Sequence, residues 1–64
     1  MTYADLAKLL QSKGFSADEA ASFVKIEKNM KGNAGAADSA DCGDDVYKFY
    51  ESRTMEEIDP TKAW

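Results

Sequence analysis

Apolar residues near the start of the chain recur at the spacing of an α-helix. Tyr3, Leu6 and Leu10 are three and four residues apart, so their side chains share one face of a helix. Thr2 is a favourable N-cap, and a lysine followed by a glycine closes the segment. The pattern therefore predicts a first helix over residues 2–13.

A second helix is predicted over residues 16–31. It begins at Ser16-Ala17-Asp18-Glu19, which is a capping box: the serine side chain accepts from the amide of Glu19, and the glutamate side chain reaches back to the serine amide. Phe15 stands just before this cap and is expected to lie between the two helices. The apolar positions form a broad stripe that we expect to face the core. They are Ala20, Phe23, Val24, Ile26 and Met30.

The middle of the chain predicts a loop and then a third helix. Residues 32–43 hold no large side chain, so burial cannot offset the entropy of ordering them, and we expect a flexible loop. A helix then follows over residues 44–53, with Asp41 or Asp44 as a possible N-cap. Val46 and the aromatic residues after it supply its apolar face.

The last segment predicts one short helical turn and a tail. Thr54 opens another capping-box pattern, which predicts a turn over residues 55–58. Residues 59–64 form the tail, in which Asp59 can cap a final turn that has a proline at its first position. The fold class predicted for residues 1–64 is therefore all-α: a single domain built as a small three-helix bundle.

The charge of the chain is acidic and unevenly distributed. The formal net charge is −4. Residues 1–31 hold five lysines and four acidic residues, whereas residues 32–64 hold three basic and eight acidic residues. Because an acidic face repels phosphate and attracts basic protein surfaces, direct nucleic-acid binding is disfavoured and a larger protein with a basic surface is the expected partner.

The composition also bears on the compartment. Cys42 is the single cysteine, so no disulfide can form within the chain, which fits a reducing environment. No apolar run approaches the roughly 20 residues that a membrane-spanning helix needs. We therefore expect a soluble cytoplasmic protein with no membrane partner.

The chemistry-bearing residues do not form a catalytic or metal site. Histidine, the commonest general base and metal ligand, is absent. Cys42 lies in an acidic stretch, where carboxylates should raise its pKa and make it inert. A calcium loop beginning at Asp38 fails, because its twelfth position is Phe49 instead of a glutamate. We expect no enzyme, no cofactor and no metal.

The aromatic and acidic residues of the C-terminal half are the candidate contact residues. Aromatic side chains are enriched at interface hot spots, and carboxylates complement a basic partner. The alternative is that Val46 and Phe49 form core while the neighbouring tyrosines cover its edge. The candidate partner-binding residues are Asp44, Asp45, Tyr47, Tyr50, Glu56, Glu57 and Trp64.

Residues 9–16, followed by Asp18-Glu19-Ala20, resemble the first loop and second helix of ubiquitin-associated domains. The resemblance implies a three-helix adaptor whose loop and third helix bind ubiquitin, here Gly14, Phe15 and residues 46–50. Lys13 stands where that family usually has methionine, and the connection to the third helix is longer than in the family. Any well-capped pair of helices joined at a glycine corner produces a similar string.

Three function classes follow from these observations. The first is a non-catalytic interaction module, by analogy of size and charge a small inhibitor of the phage or mobile-element type, docking on a basic or nucleic-acid-binding surface. The second is the ubiquitin-binding adaptor. The third is a helix-turn-helix DNA-binding protein, which the acidic charge disfavours. The core is small for independent stability, so a homodimer is also possible.

Overall fold

The computed structural model describes residues 1–63, with residues 62 and 63 described by their backbone alone. This part of the chain contains no β-strand, which confirms the all-α prediction, and three of its helices form the small bundle. The helices are α1 (Tyr3–Ser12), α2 (Ala17–Met30), α3 (Asp44–Glu51) and α4 (Met55–Ile58), followed by a 3-10 turn (Pro60–Ala63). Trp64 lies outside the described residues.

Capping boxes start three of the four α-helices, as the sequence pattern predicted. In each box the hydroxyl of the N-cap residue accepts from the backbone amide three positions later, and the acidic side chain at that position accepts from the N-cap amide. These bonds satisfy backbone donors that the helix itself leaves free. The pairs are Thr2 with Asp5, Ser16 with Glu19, and Thr54 with Glu57.

Helix α3 begins differently. Its N-cap is Gly43, at a φ of 91°, and no side chain caps the helix, so the prediction that Asp41 or Asp44 does so was wrong. The carboxylate of Asp41 instead accepts from the amide of Gly43 at 2.9 Å. This left-handed glycine turns the loop into α3.

The corner between α1 and α2 is tight, and its apolar residue is buried. Gly14 has a φ of 116°, a backbone conformation that side chains rarely adopt. Phe15 follows at 4% exposure, and its ring packs edge-on against Phe23 of α2 with 5.1 Å between centroids. The two residues therefore fix the angle at which α2 returns along α1.

Helix α1 supplies the centre of the core. Tyr3, Leu6 and Leu10, the face that the sequence pattern identified, are fully buried. Helices α2 and α3 both pack against this face. The buried set also includes Phe15, Ala20, Val24, Cys42, Val46 and Tyr50.

The segment between α2 and α3 contains no helix, but it lies against the start of α1. Cys42, at its end, is fully buried, although the sequence placed it in a flexible stretch. Backbone hydrogen bonds explain this position, because they join the segment to the first turn of α1 and to Met1, which precedes that helix. They run from Tyr3 to Ala40 (3.0 Å), from Ala4 to Asp38 (3.0 Å) and from Cys42 to Met1 (2.8 Å).

Candidate functional site

Three large apolar residues assigned to the core by their sequence pattern lie at the surface. Ile26, Met30 and Phe49 are 50%, 76% and 48% exposed. The stripe on α2 was too broad for one neighbour to cover. With 3.6 residues per turn, Ile26 lies about 120° and Met30 about 80° around the helix from Ala20, which is buried. These two angles can be calculated from the sequence, and they place Ile26 and Met30 away from the buried side of α2.

The exposed side chains of Met30 and Phe49 lie on either side of a groove between α2 and α3. We name it the α2–α3 groove; its volume is about 420 Å³. Val46 and Tyr50 contribute buried apolar surface to it. The complete lining is Glu27, Met30, Asp45, Val46, Phe49 and Tyr50.

Tyr50 forms part of the wall of this groove, and most of its surface is covered by the protein. It is 5% exposed, and its hydroxyl donates to Oε1 of Glu27 at 2.7 Å. Burial, and then the neighbouring carboxylate of Glu27, raises the pKa of Tyr50 well above its ordinary value. The bond ties α3 to α2, and the role of Tyr50 as a contact residue stays a prediction.

Phe49 occupies the outer side of α3, the opposite of the predicted arrangement in which it was core. Its ring meets that of Tyr50 edge-on at 5.3 Å. The guanidinium of Arg53 lies 3.9 Å from its centroid, close enough for a cation–π contact. The ring is thus held in place while about half of the residue remains accessible.

The predicted acidic contact residues fall into two groups. Asp45 lines the α2–α3 groove, and its carboxylate lies 3.7 Å from Nζ of Lys31. Asp44 lies on another side of α3, where it shares a shallow depression with Tyr47. The side chains of Asp44 and Asp45 are 77% and 83% exposed.

Glu56 and Glu57 lie on α4 and line neither of these depressions. Glu56 is exposed. Glu57 caps its own helix, and the backbone and hydroxyl of Thr54 that donate to it lower the pKa of this carboxyl. The structure therefore brings Asp45 to the apolar groove but leaves the two glutamates apart from it.

The thiol of Cys42 is enclosed by protein. The residue is fully buried, and this burial is the main reason that the pKa of the thiol is raised. The sequence had attributed the raised pKa to neighbouring carboxylates; Asp41 contributes less than burial does. A thiol in this setting is a poor nucleophile.

In the helix-turn-helix alternative the second helix would contact DNA, but two lysines at the end of that helix are engaged within the chain. Lys28 forms an ion pair with Asp38 at 2.7 Å and lies over the ring of Tyr3, 5.2 Å from its centroid. Lys31 donates to the backbone oxygen of Cys42 at 2.9 Å. Lys28 and Lys31 thus hold the segment between α2 and α3 in place, and their charged groups are not free to contact the phosphates of DNA.

Phe15 also differs from its role in the ubiquitin-associated resemblance. That resemblance places it in a binding loop, but the residue is 4% exposed and packs on Phe23. The accessible part of the corner is Gly14.

Comparisons of this chain with protein-family models, curated proteins and solved structures found no match. Within residues 1–63, no helix is long and apolar enough to cross a membrane. The same part of the chain holds no group of three or more cysteine or acidic side chains arranged to bind a metal ion.

Proposed function

We propose that this chain is a non-catalytic interaction module that docks on a basic surface of a larger protein through α3 and the α2–α3 groove. One observation carries the proposal: Met30 and Phe49, both widely exposed, line a single groove together with the carboxylate of Asp45. Apolar side chains that remain exposed beside charged ones are typical of a docking surface.

The distribution of charge favours a basic partner. Asp44 and Asp45 are consecutive residues at the start of α3 and are each more than three-quarters exposed, although Asp44 lies 3.4 Å from the N-terminal ammonium and Asp45 lies 3.7 Å from Nζ of Lys31. The C-terminal half has a large excess of acidic over basic residues. Such a surface accelerates encounter with a cationic one and adds to specificity.

Two features support a role without catalysis. The sequence has no histidine, so the usual base that activates a serine or cysteine is missing. The thiol of Cys42 is buried with a raised pKa. Helix capping lowers the pKa of Asp5 and of Glu57, whereas the amide of Gly43 and then the N-terminal ammonium lower the pKa of Asp41.

In this proposal the chain inhibits the protein on which it docks. Basic protein surfaces commonly bind nucleic acid, so an acidic module seated on one would compete with the nucleic acid for it. The partner would then be a nucleic-acid-binding protein of the same cell, in the manner of small phage-type inhibitors.

Affinity capture from a lysate of the native host tests the proposal. Because exposed charges are screened by salt, capture should be strong at about 50 mM salt and largely lost at about 500 mM. The triple variant Asp44→Lys, Asp45→Lys, Glu56→Lys should also lose the partner. Glu57 is left unchanged in this variant because it caps α4.

A charge change elsewhere provides the control. Asp18 is exposed in the first turn of α2, and Asp18→Lys alters the net charge by the same amount as Asp45→Lys. Asp45→Lys should weaken capture several-fold while Asp18→Lys leaves it nearly unchanged. Capture that resists salt, or that responds equally to both substitutions, would contradict the proposal.

A further inference from the structure

We infer that the α2–α3 groove receives a basic amphipathic helix of the partner. Its apolar residue inserts between Met30 and Phe49, and its lysine or arginine pairs with Asp45. This inference rests on the proposed function and specifies what part of the partner enters the groove.

The lining of the groove suits an apolar side chain. Met30, Val46 and Phe49 surround a space of about 420 Å³, which is within the usual size range of ligand pockets. Met30 has a flexible, polarizable side chain and is 76% exposed, so it can adjust around an inserted group. Phe49 is braced by Tyr50 and Arg53 and forms the more rigid side.

The backbone around the groove favours a helix over an extended peptide. Both sides of the groove are α-helices, whose backbone groups are hydrogen-bonded within each helix away from its ends. Residues 1–63 contain no strand whose edge could pair with an extended peptide. A peptide in the groove must therefore form its backbone hydrogen bonds within itself, as an α-helix does.

The charge at the groove favours a cationic occupant. Glu27 and Asp45 are the charged residues of the lining itself, while two cations lie beside it: Lys31 next to Asp45, and Arg53 on the ring of Phe49. Glu27 is already bonded to Tyr50 through Oε1, whereas the side chain of Asp45 is 83% exposed. Lys31 approaches Asp45 at 3.7 Å but also donates to the backbone of Cys42, so Asp45 keeps accessible oxygen surface for a cation from outside.

A second copy of this chain fits the groove less well. A symmetric pair of grooves would bring the same carboxylates, Glu27 and Asp45, toward one another.

Titration with a synthetic peptide tests the inference. The probe is a lactam-bridged helix with leucines at positions i, i+3, i+4 and i+7 and lysines on its other face. Amide chemical shifts of the labelled protein should move around Met30, Val46 and Phe49. Two peptides serve as controls: one carries glutamates in place of the lysines, and the other has the same composition without an apolar face.

Substitutions then locate the contact. Met30→Ala and Phe49→Ala should each weaken binding of the lysine peptide about tenfold, because each removes a large apolar side chain. Asp45→Lys should weaken it about threefold or more. Ile26→Ala is the matched control: Ile26 is 50% exposed on the same helix as Met30 but does not line the groove, and binding should stay within about twofold.

The results separate this inference from the function on which it rests. If Met30→Ala and Phe49→Ala weaken the salt-dependent capture of the host partner but the lysine peptide does not bind the groove, the inference is wrong and the proposed function stands. Equal binding of the lysine and glutamate peptides also overturns it. So does a homodimer in sedimentation equilibrium that Met30→Ala dissociates, since the occupant would then be a second copy.

Discussion

Tyr50 shows how one hydroxyl shapes this surface. Its ring lies between α2 and α3, and its hydroxyl donates a hydrogen bond to the carboxylate of Glu27 at 2.7 Å. A buried tyrosine hydroxyl usually takes a hydrogen-bond partner, and this bond holds Tyr50 in its inward position. Phe49, on another side of α3, stays half exposed.

Tyr50→Phe should lower the free energy of unfolding by about 1 kcal/mol, since it removes a partly buried hydrogen bond to a charged group while keeping the ring. Urea denaturation measures the change. Tyr47→Phe, in a partly buried tyrosine of the same helix, is the control and should change stability by less than about 0.5 kcal/mol. Equal losses in the two variants would contradict the role given to this bond.

The same residue predicts a pH dependence. The pKa of Tyr50 is raised in the folded protein above its ordinary value of 10.0, so above about pH 10 the unfolded chain loses this proton while the folded chain keeps it. Its contribution to stability is present below that pH and is lost as the pH rises. Tyr50→Phe should therefore lose less stability between about pH 7 and pH 11 than the unchanged protein does.

The α-helices differ in what fixes the residue at which each begins. Three helices begin at capping boxes that are local in sequence. Helix α3 has no side-chain cap and relies on Gly43 and on the segment before it, which is bonded to the first turn of α1. The start of α3, and with it the position of Asp45 at the groove, is therefore set by tertiary contacts.

Gly43→Ala should destabilise the protein by about 1–2 kcal/mol, because a β-carbon is disfavoured at this positive φ. The new atom would also lie 2.6 Å from Nζ of Lys31 and 2.7 Å from Oδ1 of Asp45, so both side chains would have to move. Thermal unfolding followed by circular dichroism measures the loss.

Gly35→Ala is the control for this substitution. A β-carbon at Gly35 meets nothing within 4 Å, so the melting temperature should stay close to that of the unchanged protein. If both variants melt alike, the left-handed turn at Gly43 does not govern α3.

The whole molecule is compact and has only a small core. Its radius of gyration is 11.0 Å, close to the roughly 10.7 Å expected of a folded chain of this length. One layer of side chains from α1 forms the centre, and the other buried residues belong to the α1–α2 corner, to α2, to the segment before α3 and to α3. A chain of this size has a stability of about 3–10 kcal/mol, so no single core residue is dispensable.

Leu6→Ala should therefore remove a large share of the free energy of unfolding and lower the melting temperature markedly. Leu6 is fully buried, and such a truncation costs about 2–5 kcal/mol. Amide chemical-shift dispersion and the cooperativity of thermal unfolding report the result. Ile26→Ala, at a half-exposed position, should remain folded; a Leu6→Ala protein that melts like it would contradict the central place given to α1.

The sequence alone determined the parts of this protein that depend on near neighbours in the chain. The helical face of Tyr3, Leu6 and Leu10, the capping boxes and the glycine corner all rest on residues within a few positions of one another. Local sterics and hydrogen bonding act on them in the same way wherever the helix lies. The all-α class followed from these features.

Tertiary structure alone decided which sides of those helices are covered. Periodicity marks an apolar face, but how much of it a neighbour buries depends on the packing of α2 and α3 against α1. Ile26, Met30 and Phe49 consequently lie at the surface, Tyr50 lies inside, and the long-range bonds of the loop draw Cys42 into the core. The groove exists because a core this small cannot cover every apolar side chain of its helices.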